Sequence, residues 1–216
     1  MDGIFEQISA ALQSGKAKVV KELVLQALSD GVSAKDVLEQ GLLPGMDIIA
    51  VKFRSKEMYV PEVLIAARAM NAGTEILKSH LAGSGEKPIG KALLGTVKGD
   101  LHDIGKNLVR IMFEGKGIEV VDLGMDVPAE RFVEVYREEK ADIVALSALL
   151  TTTMCEMKNT IDAFIAAGLR DEVIIMLGGA PVTDEFSREA GADIYADDAV
   201  TAAEAARRAI LGKVKV

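Results

Sequence analysis

The chain has 216 residues, half of them hydrophobic, and a formal net charge of -8. That length holds one or two domains and lets folding bury roughly 70% of the surface exposed by the unfolded chain, so neither disulfides nor metals are needed for stability. An acidic balance with no basic cluster argues against nucleic-acid binding, a single cysteine excludes an internal disulfide, and no apolar run reaches the length of a membrane span.

Residues 1–86 read as a bundle of four or five short helices. Ile4, Ile8, Ala11 and Leu12 recur at helical spacing, as do Val20, Leu23, Val24 and Leu28, with Gly15 and Gly31 as punctuation. Ser33 is a cap for 34–40. Pro44 is expected to open a helix carrying Met46, Ile49, Ala50 and Phe53, and Pro61 another carrying Val63, Leu64, Ala67, Met70, Ile76 and Leu77. The small and polar stretch Gly83-Ser84-Gly85-Glu86-Lys87-Pro88 marks a linker and a hinge. Residues 87–216 then alternate strand and helix. Strands are predicted at 91–97, 118–123, 142–147, 173–178 and 193–196, with helices starting near Gly105, Pro128, Thr153, Val182 and Asp198. Continuous apolar strands in β-α succession imply a parallel sheet covered on both faces. Met1-Asp2-Gly3-Ile4-Phe5-Glu6 has neither the basic region nor the apolar core of a signal peptide, and with one cysteine, Cys155, the expected location is the cytoplasm, away from membranes. Cys155 itself reads as a small helix residue, and His80 as an exposed one near a helix end.

The densest chemistry lies at Gly99-Asp100-Leu101-His102-Asp103-Ile104-Gly105, between an apolar strand and a new helical pattern. A loop leaving the carboxyl end of a parallel strand is where open α/β sheets bind ligands. His102 is placed there to coordinate a metal, with Asp100 two residues earlier accepting a hydrogen bond from the other ring nitrogen. Gly105 leaves room above the loop for a large flat ligand. Ser147-Ala148-Leu149 and Gly178-Gly179 follow the ends of two further strands. Each also has a plainer reading: Asp100 and His102 as a surface ion pair, Ser147 as a helix cap, Gly178-Gly179 as a strand-to-helix turn.

Taken together, Asp-x-His-x-x-Gly, Ser-x-Leu and Gly-Gly in this order resemble the cobalamin-binding module of methionine synthase and the corrinoid proteins of methylotrophic methyltransferase systems. The run Leu149-Leu150-Thr151-Thr152-Thr153-Met154 looks like the methylotrophic branch. The resemblance implies a helical cap over a Rossmann-like, flavodoxin-like five-stranded parallel α/β domain. It implies cobalamin bound base-off and His-on, with His102 on cobalt and Asp100 behind it. Asp103, Ile104 and Gly105 complete that motif. Ser147, Leu149, Gly178 and Gly179 would line the slot for the displaced nucleotide tail, and the Thr151 and Thr152 hydroxyls would lie near the cofactor. In the helical part, Met58 and Val63 are the named candidates among Met58, Tyr59, Val63, Ala67 and Met70 for facing the corrin. The chemistry agrees with one histidine, because a corrin already supplies four in-plane nitrogens and leaves one lower axial position to the protein.

The function so implied is methyl carriage. Cobalt(I) takes a methyl group on one partner, a substrate:corrinoid methyltransferase, and methyl-cobalt(III) gives it up on a second, a corrinoid:acceptor methyltransferase using coenzyme M or tetrahydrofolate. The chain would be a non-autonomous subunit. One cysteine cannot hold an iron-sulfur cluster and no flavin signature is present, so a separate reductive activating protein is expected. A cobalamin-binding sensor is the alternative, and would need an output domain. A small adenosylcobalamin mutase subunit is more remote, since it generally lacks the helical bundle.

Overall fold

The computed structural model describes residues 2–84 and 88–212. The chain divides into two compact units, Met1–Lys87 and Pro88–Val216.

The first unit is helical: α1 (Asp2–Gln13), α2 (Ala17–Ser29), a short α3 (Ala34–Asp36), α4 (Leu43–Arg54) and α5 (Val60–Ser84). Gly15 and Gly31 end α1 and α2 with φ of +64° and +83°, a conformation in which a Cβ is disfavoured. Ser33 caps as expected, its Oγ accepting the Asp36 N–H at 3.0 Å. The helix does not stop at residue 40, however. It continues through a π-helical stretch, Val37–Leu42, straight into α4. Pro44 lies in the first turn of α4, the helix that carries Met46, Ile49, Ala50 and Phe53 as expected, and the π-helical stretch runs into that turn without a break. A wider π turn just before it is compatible with a residue that lacks an N–H and has a ring projecting toward the preceding turn. Apolar residues at helical spacing, Ile8, Leu12, Val20, Val24, Leu42, Ile49 and Leu77, are fully buried. The linker reading changes as well. Gly83 and Ser84 are the last residues of α5, and Gly85, Glu86 and Lys87 lie outside the described residues.

The second unit contains β1 (Gly90–Val97), α6 (Ile104–Glu114), β2 (Ile118–Val127), α7 (Ala129–Glu139), β3 (Ile143–Ser147), α8 (Met154–Ala166), β4 (Ile174–Gly178), α9 (Asp184–Ala190), β5 (Ile194–Ala196) and α10 (Ala199–Gly212). All strands are parallel in the order β2-β1-β3-β4-β5. Leu93, Val144, Leu146, Ile175 and Leu177 bury one sheet face beneath Phe132 of α7 and Ile161 and Phe164 of α8. α6 and α10 pack against each other. Strand order reverses between β1 and β3, the switch point that in such sheets opens a crevice at the carboxyl edge. Register aligns that edge: Thr96 pairs with Ser147, and Ser147 with Gly178. The three motifs picked out in the sequence therefore leave the sheet side by side.

β2 runs four residues beyond the expected 118–123. Two register shifts against β1, either side of Gly95, absorb the extra residues. The continuation carries Asp126 to the foot of the β1–α6 loop, where its N–H donates to the Asp100 carbonyl at 3.0 Å.

Candidate functional site

The β1–α6 loop turns at Gly99, whose φ is +77°. Asp100 follows and is fully buried, 0% exposed. Its carboxylate is surrounded by donors. Oδ1 accepts the His102 N–H at 3.1 Å and lies 2.7 Å from His102 Nδ1. Oδ2 accepts the N–H groups of Leu149 at 2.7 Å and Leu150 at 3.2 Å, and the Thr153 hydroxyl at 2.8 Å. Burial alone pushes such a carboxyl up. The bonds from Leu149, the His102 ring and N–H, and Thr153 outweigh it and hold Asp100 well below the usual carboxylate range. Asp100 is therefore a charged, buried acceptor tying the β1 loop to the β3 loop.

An ionised carboxylate can only accept, so the His102 Nδ1 carries the hydrogen, and in the neutral ring that leaves the lone pair on Nε2. The ring is half exposed, at 50%. Thr96, buried at the end of β1, donates to the His102 carbonyl at 2.9 Å and fixes the main chain beneath the ring. The result is an oriented, half-exposed imidazole at the carboxyl edge of the sheet.

Asp103 precedes α6, its carboxylate accepting from Asn107 Nδ2 at 3.0 Å and its carbonyl from the Asn107 N–H at 2.7 Å. Ile104 is 72% exposed, and a Cβ on Gly105 would meet nothing within 4 Å. Ser147 is half-buried at the end of β3. It is not the cap of α8, a position held by Thr153. Leu149, Thr151 and Thr152 are exposed. Gly178 and Gly179 end β4. A Cβ on Gly179, whose φ is +133°, would run into the Ala148 carbonyl oxygen, so this glycine is required by the approach of the β3 loop alone. The two glycines predict opposite outcomes in unfolding experiments on the apo protein. Gly179→Ala is expected to cost about 3 kcal/mol or more, whereas Gly105→Ala is expected to cost nothing, or to add up to about 1 kcal/mol of helix stability. A normal urea midpoint for Gly179→Ala would contradict the close approach.

In the first unit Met58 is half-buried. Val63 is 0% exposed in α5. Ala67 and Met70 are buried too, and the exposed apolar residues at the start of α5 are Tyr59, Leu64 and Ile65. His80 is exposed on α5. Cys155 is exposed in the first turn of α8, its Sγ donating to the Thr152 carbonyl.

Thr153, Thr96 and the N–H groups of Leu149 and Leu150 were not legible as partners of the histidine loop. The only available signal was the hydroxyl run 151–153 ahead of a helix.

Among the described residues, no three His, Cys, Asp or Glu side chains are grouped to hold a bare metal ion. A single directed imidazole suits a metal that brings its other donors with it. Leu101 on the same loop and Ile104 at the start of α6, Leu149 and Leu150 on the loop that bonds Asp100, and Met125 next to Asp126 expose large apolar side chains, apolar surface suited to a broad, mostly apolar ring. The residues present fit a corrin, whose metal His102 would hold.

Comparison with known proteins points the same way. Residues 90–209 match a B12 binding domain, and residues 4–78 match a second domain of the same description. Dimethylamine corrinoid protein 3 of Methanosarcina acetivorans is 37% identical over 211 residues, covering 98% of this chain and 99% of that protein. Trimethylamine corrinoid protein of Methanosarcina barkeri is 39% identical, covering 94% and 96%. Among solved structures, the methanol:cobalamin methyltransferase complex of Methanosarcina barkeri contains a chain with a TM-score of 0.89 and 30% identity, covering 98% of this chain and 81% of that one. A cobalamin-binding protein of Desulfitobacterium hafniense gives 0.78 at 30% identity, covering 94% and 97%. With matches spanning both of its units, the chain belongs to the corrinoid proteins, the cobalamin-binding family of methylamine and methanol methyltransferase systems.

Proposed function

We propose that this chain carries methyl groups on a bound cobalamin, held base-off with His102 as the lower axial ligand. The observation that carries the reading is the His102 ring, with Nδ1 tied to a buried carboxylate and the rest of the ring open at the sheet edge. The cofactor supplies a cobalt centre able to accept a methyl group and release it again.

The chain's own part is to hold and orient. Asp100 keeps the proton on Nδ1 and so keeps Nε2 available. Leu149, Leu150 and Thr153 keep Asp100 ionised and fixed, so the β3 loop acts on the axial position through the β1 loop. Thr96, Ser147 and Gly178 stand in register at the sheet edge, where Ser147, Leu149, Gly178 and Gly179 would line the slot for the nucleotide tail, with Gly105, Thr151 and Thr152 near the cofactor.

The relatives act in systems named for methylamines and methanol, and one similar chain was solved in a complex with its methyltransferase. Donor selection accordingly belongs to a substrate:corrinoid methyltransferase, and delivery to a corrinoid:acceptor methyltransferase using coenzyme M or tetrahydrofolate. With one cysteine in the sequence there is no thiolate set for an internal iron-sulfur centre, so a separate reductive activating protein restores cofactor lost to oxidation. We place the system in the cytoplasm. Among the described residues no helix is long and apolar enough to cross a membrane.

A methyl-transfer assay tests the carrier role. Turnover is expected only with cobalamin-loaded protein, a substrate methyltransferase and an acceptor methyltransferase together, and to lag without a low-potential reductant. Rapid demethylation of a methylamine or methanol by the loaded chain alone would show an autonomous enzyme instead.

A further inference from the structure

We infer that Asp126 is a positioning residue for the axial histidine, acting through the main chain of the β1–α6 loop. This rests on the assignment of His102 as ligand and extends it to a residue of β2. Asp126 is one of few non-glycine residues with a left-handed backbone, at φ +53°. Aspartate tolerates that region better than most residues, but still visits it at a cost. Here the conformation has a use. It turns the Asp126 N–H onto the Asp100 carbonyl at 3.0 Å and brings its carboxylate Oδ1 to the Gly99 N–H at 2.7 Å. Both bonds fall on the two residues that set where the Asp100 side chain points, and Asp100 in turn sets the His102 ring.

The placement depends on the irregular end of β2. Register shifts lengthen that strand relative to β1, and the first of them is held by Asp122, whose Oδ1 accepts the Gly124 N–H at 2.9 Å. Lys106, 2% exposed in the first turn of α6, lies 2.6 Å from both Asp122 oxygens. The start of α6, the bulged end of β2 and the histidine loop thus form one closed circuit. Asp100 is braced twice: on its carboxylate by the β3 loop, and on its main chain by Asp126.

Two substitutions separate the hydrogen bond from the backbone conformation. Asp126→Gly keeps the left-handed turn and deletes the acceptor; Asp126→Asn keeps an acceptor oxygen and tolerates the turn. In apo protein, Gly99 amide hydrogen exchange is read by NMR. After loading with hydroxocobalamin and reduction to cobalt(II), electron paramagnetic resonance gives the ratio of histidine-ligated to water-ligated cobalt. Asp126→Gly is expected to speed Gly99 exchange and lower that ratio about fivefold, the worth of one ordinary hydrogen bond, with Asp126→Asn restoring the wild-type values. Unchanged exchange and ratio in Asp126→Gly would overturn the inference, as would an Asp126→Asn effect equal to that of glycine. If wild-type protein shows no histidine ligation, the ligand assignment has failed, and Gly99 exchange in the apo protein still decides whether Asp126 braces the loop.

Discussion

Asp100→Asn is expected to leave the fold intact, to weaken axial ligation about 10–100-fold, and to lower apo stability at neutral pH. The reason lies in the donor set around the carboxylate. Asp100 accepts from His102 on one oxygen and from Leu149, Leu150 and Thr153 on the other. An amide has one oxygen and one NH2 group, and the lower-cost orientation turns the oxygen to the side with more donors. The NH2 then faces His102 Nδ1, which becomes an acceptor, and the ring proton moves to Nε2. A protonated Nε2 has no lone pair for a metal, so the variant loses ligation through the wrong tautomer while keeping a ring of the same size in place. The pH dependence has a definite sign. The folded carboxyl lies below its value in the unfolded chain, about 3.9, so its stabilising contribution is complete well above pH 4 and is lost as the pH falls below that value toward the folded one. The stability gap between wild type and Asp100→Asn should therefore narrow on acidification from about pH 6 to about pH 3. A gap that widens over that range, in urea unfolding of the apo proteins, would mean that Asp100 is not held ionised by the fold.

His102→Gly is expected to have the larger effect on the cofactor and the smaller one on the fold. The ring is half exposed, and its removal opens the site without leaving a buried cavity. Asp100 keeps its other donors, so apo stability should change by no more than about 1 kcal/mol. Cobalamin affinity should fall by more than the roughly 10–100-fold that loss of a ligand's hydrogen-bond partner costs, and added imidazole should restore a nitrogen ligand through the space left by the ring. Equilibrium binding followed by absorption, with and without imidazole, reads both effects. Unaltered affinity and spectrum in His102→Gly would remove histidine from the axial position.

The parts of the site that could be read from sequence are those encoded locally. Asp100 and His102 are two residues apart on one loop, and a carboxylate at that spacing can reach the ring without any knowledge of the fold. The apolar strands announced the sheet, and their order placed the three motifs on one edge. Thr153 escaped because its partner is 53 residues away, and its bond to Asp100 exists only once β1 and β3 are neighbours. Asp126 escaped for a different reason. Gly124 and Asp126 have turn chemistry, and only the pairing of β2 with β1 keeps them in a bulged strand. In the helical unit the apolar spacing of α5 was legible, but periodicity alone does not say which side of a helix meets its neighbours, and Val63 proved to be inside. Pro44 was legible as the first turn of α4, whereas the π stretch that joins α4 to the helix before it has no simple sequence signature.

The central claim is that one imidazole nitrogen of this chain binds the cofactor's metal. It is tested most directly by electron paramagnetic resonance of the wild-type protein loaded with cobalamin and reduced to cobalt(II), prepared with natural histidine and again with histidine labelled with the heavier nitrogen isotope. The account predicts superhyperfine splitting from a single nitrogen whose multiplicity changes on labelling, and which is absent from labelled His102→Gly. A splitting unaffected by the label would mean that the cofactor's own base remains on cobalt, and no nitrogen splitting at all would mean water in its place. Either result would contradict the assignment of His102.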